Sequence, residues 1–370
     1  MATHAILSAS SSNRWIHCPP SVKLSEKYLD EVSSYALEGT CAHSLGEFKL
    51  KKLLNLDTTD PRDELEFYDD QMEEATDNYA SYVMEVVEKY KDPQVYLEER
   101  LDLSKYVRDS FGTADCVIIG DKDLHIIDLK YGQGILVDAK NNSQLMLYGL
   151  GALVLFDNIY DIEKVVLHIY QPRRENISVF EMESEKLYEW GESIKAIAEL
   201  AYSGGGEYSC GPWCVFCPSK NVCRKRAEES LKVAREEFKI PPELTDEEIQ
   251  ELLPKLDEFE QWVQDIKAYA LEKALKGYRW DNFKLVEGRS NRRYRDEEEV
   301  IRKVKELGFN PFEEKLLGIT AMTKLLGKKV FEENIGGLLE KPVGKLTLVS
   351  SEDRREEVKI DSVKEDFGGM

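Results

Sequence analysis

FGTADCVIIG (residues 111–120), LHIIDLKYG (124–132) and SQLMLYG (143–149) follow one another at close spacing and decide the fold predicted for this chain. GDKD separates the β-branched runs of the first two segments, and because Gly and Asp suit a tight turn, the pattern predicts a β-hairpin. In the third segment, apolar residues recur at helical spacing behind Asn141, Asn142 and Ser143, any of which can cap a helix. The sequence therefore predicts an α/β arrangement in which a hairpin leads into a helix.

Two carboxylates and an ammonium converge in the predicted hairpin. Asp115 enters the first strand and Asp128 leaves the second, and because strand side chains alternate, Lys130 points the same way as Asp128. Carboxylate oxygens are ligands that Mg²⁺ or Mn²⁺ prefers, and such an ion would activate water for phosphodiester hydrolysis while Lys130 assists. The structural alternative is a turn aspartate followed by an exposed Asp-x-Lys strand pair.

Two predicted helices carry polar pairs one turn apart. Gln144 and Tyr148 share a face of the helix after the hairpin, and His43 and Glu47 share a face of the upstream segment EGTCAHSLGEFKLKKLL. Taken singly, Tyr148 is more often explained by packing, and His43 more often by a histidine that is satisfied at the surface or in the core.

The motif order EGTCAH, GTAD, IDLK and QLMLY resembles the RecB-like branch of the PD-(D/E)XK nuclease superfamily, which includes the CRISPR-associated iron-sulfur exonucleases and the helicase-nuclease AddB. The resemblance covers about the first 225 residues. It implies a restriction-endonuclease-like core, an α/β fold with a mixed sheet flanked by helices.

The same resemblance implies roles for individual residues. The expected metal ligands are His43, Asp115, Asp128 and the carbonyl of Leu129, with Asp115, Asp128 and Lys130 as the catalytic set. Gln144 and Tyr148 would support the site and contact DNA. Glu38, Glu47 and Glu98 are acidic neighbours with a weaker supporting assignment.

Cysteine usage gives an independent test of this hypothesis. The seven cysteines stand at positions 18, 41, 116, 210, 214, 217 and 223, and because no signal peptide or long apolar segment is evident, we expect a reducing bacterial cytoplasm. Thiolates at the density of CGPWCVFCPSKNVC bind soft or borderline metals. The simplest local interpretation is structural Zn²⁺ on Cys210, Cys214, Cys217 and Cys223.

The N-terminal segment LSASSSNRWIHCPPSVKLSE favours a different group, because it resembles the opening of RecB-like iron-sulfur nucleases. In those proteins one upstream cysteine joins a C-x2-C-x5-C group to hold a 4Fe-4S cluster. The resemblance selects Cys18, Cys214, Cys217 and Cys223, leaves Cys210 spare, and predicts that the cluster ties the N-terminus to the end of the nuclease core.

The charge of the chain bears on DNA binding. The formal net charge of -21 predicts weak non-specific duplex binding with strong salt dependence. Basic residues gather locally, and Arg173 and Arg174 in YQPRREN are candidate phosphate contacts, with solubility as an equal alternative. We therefore expect a narrow channel, self-association or a DNA-binding partner to assist.

Residues 1–235 are predicted to form the nuclease core with its cysteines, and residues 236–370 a mainly helical α+β extension whose tail is partly disordered. KLVEGRSNRRY and KPVGKLTLV resemble the C-terminal part of an uncharacterised phage and prophage family built on the same core. The resemblance implies phage DNA replication or recombination, beside a single-strand-binding or annealing protein. The predicted function is a Mg²⁺- or Mn²⁺-dependent DNA exonuclease, and the alternative is a vestigial DNA-binding or assembly module.

Overall fold

The computed structural model describes residues 5–28, 34–236, 246–286, 294–312 and 316–340. The chain forms two compact units, residues 1–272 and 273–370. The predicted division after residue 235 follows a change in composition and stays a prediction. The predicted partly disordered tail lies within residues 341–370, outside the described residues.

A five-stranded mixed sheet forms the centre of the first unit, in the order β1-β2-β3-β4-β5. The strands are β1 Gln94–Asp102, β2 Phe111–Gly120, β3 Asp123–Leu129, β4 Lys164–Gln171 and β5 Asn176–Glu183. The β3–β4 pair is parallel because a helix crosses between these strands, and the other neighbours are antiparallel. The predicted hairpin is confirmed as β2–β3, and its turn residue Asp121 has a left-handed φ of 52°.

Helices cover both faces of this sheet. In chain order the described helices are α1 Ser12–His17, α2 Ser21–Ser25, α3 Ser34–Leu53, α4 Asp70–Val87, α5 Ser143–Tyr160, α6 Ser184–Ser203, α7 Arg224–Glu236, α8 Asp246–Leu275, α9 Glu297–Glu306, α10 Ile319–Leu326 and α11 Lys328–Asn334. Helices α3 and α4 pack on one face, while α5, α6 and the N-terminal segment pack on the other. The predicted mixed sheet flanked by helices is confirmed. Across the described residues, every helix is too short or too polar to span a membrane.

Helix α5 begins where its sequence predicts. The side chain of Asn142 accepts hydrogen bonds from the backbone N–H groups of Gln144 and Leu145 at 3.1 and 3.2 Å, satisfying two donors that the first turn leaves unpaired. This cap fixes the first turn of α5, which carries Gln144, against the end of β3.

Strand β1 changes faces at Glu98. Leu97 packs on the α3/α4 face and Leu101 on the α5/α6 face, although residues four apart in a regular strand share a face. Glu98 lies between them with a φ of 48°, an uncommon conformation for a residue with a side chain. Strand β2 changes faces at the opposite point, between Ala114 and Cys116. The irregularity therefore falls where β1 and β2 approach the end of the β2–β3 ladder.

A buried chain of hydrogen bonds lies between α4 and the sheet. His125 Nδ1 lies 2.9 Å from His168 Nε2, and the outer ring nitrogens meet the hydroxyls of Tyr90 and Tyr82 at 2.7 and 2.8 Å. Tyr90 also donates to Asp123 at 2.8 Å. With both imidazoles neutral, one arrangement of protons satisfies every bond: Tyr82 donates to His168, His168 to His125, and His125 to Tyr90. Burial lowers the pKa of His125 to about 4 and that of His168 to about 3.

This pair predicts acid sensitivity. In the unfolded chain both imidazoles take up protons below their usual pKa of 6.5, whereas in the folded chain they stay neutral down to about pH 4. The free energy of unfolding is therefore greatest above pH 6.5 and falls as the pH drops toward 4. We expect each histidine to lower the free energy of unfolding by about 1 kcal/mol for each pH unit of acidification in this window. Urea unfolding at pH 7 and pH 5 should show a smaller loss in His125→Asn/His168→Asn than in the parent. Equal losses in both proteins would contradict the assignment.

Candidate functional site

Asp115 joins three elements at the point where β2 and β3 diverge. The regular pairing of these strands ends at Cys116 and Ile127, just before the two aspartates. Beyond it, Asp115 Oδ2 accepts a hydrogen bond from the backbone N–H of Leu129 at 2.7 Å, and Oδ1 lies 3.1 Å from His43 Nδ1 on α3. The side chain of Asp115 thus replaces a ladder bond and brings His43 to the end of β3.

Asp128, Lys130, Gln144 and Tyr148 form a second connected set. Lys130 Nζ lies 2.8 Å from Asp128 Oδ2 and donates to Gln144 Oε1 at 3.1 Å. The Gln144 amide nitrogen in turn donates to Asp128 Oδ1 at 3.2 Å and to the Tyr148 hydroxyl at 3.1 Å. The structure therefore brings together the four polar residues that the hairpin and the following helix supplied in sequence.

Gly112 explains the glycine of the GTAD motif. A Cβ at this position would lie 2.5 Å from Cε1 of Tyr148, closer than packed carbon atoms approach. The absence of a side chain on β2 thus leaves the space that the Tyr148 ring occupies, and the ring carries the hydroxyl that holds Gln144.

Burial opposes charge on every group of this site, and the neighbouring charges outweigh it for His43, Asp115 and Lys130 but not for Asp128. For His43, burial favours the neutral form, but Asp115 outweighs it and raises the pKa to about 9. Burial also acts to raise the pKa of Asp115, yet His43 and Lys130 hold it below its usual range. For Asp128, burial prevails and the pKa is raised. Burial acts to lower the pKa of Lys130, but Asp128 reverses the effect and the ammonium is retained.

Glu98 stands closer to His43 and Asp115 than sequence reasoning placed it. In the described part of the chain, His43, Glu98 and Asp115 each offer a ligand atom within 4.8 Å of the others. Burial, and next the charge of Asp115, raise the pKa of Glu98 to about 7. No motif marks this residue in the sequence, and only the strand pairing reveals that it lies opposite Asp115.

The donor set fits a hard divalent cation. Imidazole nitrogen and carboxylate oxygen suit Mn²⁺, and the oxygens suit Mg²⁺. Asp128 is 2% exposed, and its Oδ2 accepts no well-aligned hydrogen bond from the described residues although Lys130 lies beside it. A buried acceptor of this kind is a position where a cation compensates the cost of burial. Leu129 contributes its N–H to Asp115, and its carbonyl as a ligand stays a prediction.

The two arginines predicted to contact DNA differ in their surroundings. Arg173 Nη1 donates to Glu38 at 2.8 Å, and its guanidinium lies 4.7 Å from the ring centre of Tyr131. Arg174 is exposed and donates to the backbone carbonyl of Gln133 at 3.3 Å. Arg173 is therefore engaged in holding α3 to the end of the sheet, and phosphate contact stays a prediction for both.

Cys18, Cys214, Cys217 and Cys223 line a single cavity, together with Arg14, Lys220 and Arg226. We call it the cysteine cavity. Cys18 comes from the end of α1, and the other three come from the segment before α7, about 200 residues later. His17 stacks on Trp213 with ring centres 4.4 Å apart, and Ser209 donates to the backbone carbonyl of His17. These contacts bring the N-terminal segment to the late cysteines.

The thiols of the cysteine cavity are spread apart. Tetrahedral Zn²⁺ with Zn–S bonds of about 2.3 Å requires sulfurs about 3.8 Å from one another. All seven cysteines belong to the described residues, and among these no three sulfurs lie within 4.8 Å of one another. Cys210 lies outside the cavity lining and 4.0 Å from Cys214, and this thiol contact lowers the pKa of Cys214 to about 6.

Asp265 on α8 is a residue that sequence reasoning missed. Its carboxylate lies 2.6 Å from Arg226 and 3.1 Å from Lys220, two of the cations that line the cysteine cavity. These ion pairs lower the pKa of Asp265 although burial opposes them. A lone aspartate within a long charged helix gives no signal in the sequence, because its partners lie about 40 residues earlier.

The chain is similar to a solved structure and to a protein family. A solved structure described as "Crystal structure of SSO0001" is similar over 49% of this chain and 95% of its own length, at 15% sequence identity and a TM-score of 0.22. At that TM-score the similarity supports no statement about fold or function. The model of the family described as "Protein of unknown function (DUF2800)" matches residues 4–356. Because the match spans nearly the whole chain, the protein belongs to the DUF2800 family.

Proposed function

We propose that this protein is a Mg²⁺- or Mn²⁺-dependent DNA nuclease of the RecB-like PD-(D/E)XK type, acting as an exonuclease. The observation that carries the proposal is the meeting of Asp115, Asp128 and Lys130 at the diverging ends of β2 and β3. His43 reaches this point from α3 on one face of the sheet and Gln144 from α5 on the other. The arrangement joins a hard-cation donor set to the half-buried ammonium of Lys130, and phosphodiester hydrolysis uses both.

Each residue has a distinct task in this proposal. His43, Asp115 and Asp128 would hold the cation, which when bound polarises a phosphoryl oxygen and supplies an activated water. Lys130 places a positive charge where negative charge develops on the phosphate, and Asp128 and Gln144 fix its position. Tyr148 orients the Gln144 amide. The lysine is held in place before substrate arrives, so little reorganisation is required during the reaction.

We further propose that the cysteine cavity holds a structural 4Fe-4S cluster. Cys18, Cys214, Cys217 and Cys223 line the cavity, while Cys210, which the zinc hypothesis requires, does not. A cubane cluster separates its thiolates more widely than a single Zn²⁺ ion, in keeping with the spread of the sulfurs. Arg14, Lys220 and Arg226 carry three positive charges, of which Asp265 balances one, and the remainder would offset negative charge on a thiolate-bound cluster. In this proposal the cluster has a structural role, because it would join the N-terminal segment that carries Cys18 to the segment that carries the late cysteines, and no redox reaction is required.

The proposed setting is phage or prophage DNA replication or recombination in a bacterial cytoplasm, with DNA as substrate. The net charge of -21 opposes non-specific duplex binding, so a single-strand-binding or annealing partner, or self-association, would deliver DNA to the site.

A cleavage assay on labelled DNA tests the proposed function. The full chain, purified anaerobically, is incubated with 5′- or 3′-labelled single and double strands in Mg²⁺, Mn²⁺ or EDTA. We expect cleavage with either metal and none with EDTA, and the order in which the labels are lost reports polarity. DNA binding without cleavage, in protein that retains its metals, would favour the vestigial binding module and overturn the nuclease.

A further inference from the structure

We propose that Glu98 is a ligand of the divalent cation, which lies among His43, Glu98 and Asp115 and beside the Asp128–Lys130 pair. This inference rests on the proposed function and deepens it. The resemblance to RecB-like nucleases implies His43, Asp115 and Asp128 as ligands. The fold adds the Glu98 carboxylate from β1, a strand that carries none of the motifs on which that resemblance rests.

The three ligand atoms already have nearly the separation that one ion requires. Metal–ligand bonds of about 2.1 Å place the donors around an octahedral ion about 3 to 4 Å apart. His43 Nδ1 and Asp115 Oδ1 are 3.1 Å apart. Each of the three residues, Glu98 included, offers a ligand atom within 4.8 Å of those of the other two. The residues come from α3, β1 and β2, so small side-chain adjustments on three fixed elements would close the site.

Asp128 supplies an independent sign that a cation belongs here. Its side chain is buried, and Oδ2 lacks a well-aligned hydrogen-bond donor among the described residues. The nearby Lys130 ammonium, 2.8 Å away, balances the charge of Asp128. Glu98 and Asp115 contribute two further negative charges, which match a divalent cation once His43 is the neutral imidazole that ligates metals.

The backbone of β1 directs Glu98 toward this position. The pairs Leu97–Cys116 and Glu99–Ala114 bracket it with the same offset, so Glu98 stands opposite Asp115 at a gap in the strand pairing. Its left-handed φ coincides with the change of faces in both strands. The sheet thereby carries the Glu98 carboxylate to the side where α3 presents His43.

Metal binding without DNA tests the assignment. Mn²⁺ is titrated into the parent protein and into Glu98→Gln, Glu99→Gln and Asp115→Asn, and the free ion is followed by its electron paramagnetic resonance signal. Glu98→Gln preserves size and removes one ligand charge, so we expect Mn²⁺ affinity to fall about tenfold or more. Glu99→Gln makes the same change one residue along β1 and should bind as the parent does.

The outcomes separate this inference from the proposed function. Parent-like Mn²⁺ affinity in Glu98→Gln, together with lost binding in Asp115→Asn, would overturn the role of Glu98 and leave the nuclease proposal standing. Parent-like affinity in both variants would show that no cation binds at this centre, and both proposals would fall. Circular dichroism and thermal melting confirm that each variant is folded before titration.

Discussion

Lys130→Met is expected to reduce metal-dependent DNA cleavage by about 100- to 1,000-fold. Methionine retains the length and apolar stem of lysine but removes the ammonium that lies between Asp128 and Gln144. That charge would otherwise stabilise the phosphate as its negative charge grows. Initial rates on labelled DNA in saturating Mg²⁺ measure the loss, and the absorbance of the protein shows whether the cysteine-bound group is retained.

Two further variants show whether a loss of activity in Lys130→Met comes from the missing ammonium or from misfolding. Lys130→Met leaves Asp128 buried without its counter-ion, at a cost of roughly 3–5 kcal/mol, so Lys130→Arg is made alongside to keep the charge while changing its geometry. We expect Lys130→Arg to fold and to lose most activity. Lys122→Met removes an exposed lysine at the β2–β3 turn, paired with Glu163, and should cleave within about twofold of the parent. A folded Lys130→Met protein that digests DNA at the parent rate would disprove the role of this lysine.

Cys18→Ser is expected to abolish incorporation of iron and sulfide, whereas Cys210→Ser should retain both. Cys18 lines the cysteine cavity and Cys210 does not, so the two substitutions remove one sulfur each from different ligand sets. The loss would appear as the disappearance of the brown colour, and of the broad absorbance at about 400 nm, that thiolate-bound iron-sulfur clusters show. Metal analysis after anaerobic purification gives iron, sulfide and zinc per chain.

The same pair of variants decides between the two cofactor hypotheses. A structural Zn²⁺ ion on Cys210, Cys214, Cys217 and Cys223 reverses the expected pattern: Cys210→Ser loses zinc and Cys18→Ser keeps it. Neither substitution alters His17 or Trp213, which stack on each other in the parent, so we expect the variants to differ only in the ligand sulfur. Zinc retained in Cys18→Ser, with no iron in the parent, would overturn the cluster.

Local patterns were sufficient to predict the β2–β3 hairpin and one side of the site. The β2–β3 hairpin follows from its turn residues and β-branched runs, and strand alternation places Lys130 beside Asp128. Helical spacing likewise puts Gln144 and Tyr148 on one face, and their hydrogen bond joins them. In each case the deciding interaction lies within a few residues along the chain.

Other features of the site and of the sheet depend on contacts between residues that are far apart in the sequence, which local patterns do not predict. The approach of Glu98 to Asp115 requires the β1–β2 register and a left-handed φ that no nearby glycine announces. The pairing of Asp265 with Arg226 joins residues 39 apart through packing of α8. The buried pair His125 and His168 arises because a helix crossover brings β3 and β4 side by side. Each of these features is set by tertiary structure.

The meeting of His17 with Ser209 and Trp213 has a consequence for biosynthesis. The hydrogen bond between His17 and Ser209 spans 192 residues, so the N-terminal segment leaves the ribosome long before its partner is made. At about 5–20 residues per second, that interval is roughly 10 to 40 s. During it, Cys18 is translated but has no late cysteine beside it. The junction between Cys18 and the late cysteines can therefore form only after translation has passed residue 223, although the rest of the N-terminal segment packs against α5 and α6, which are made earlier.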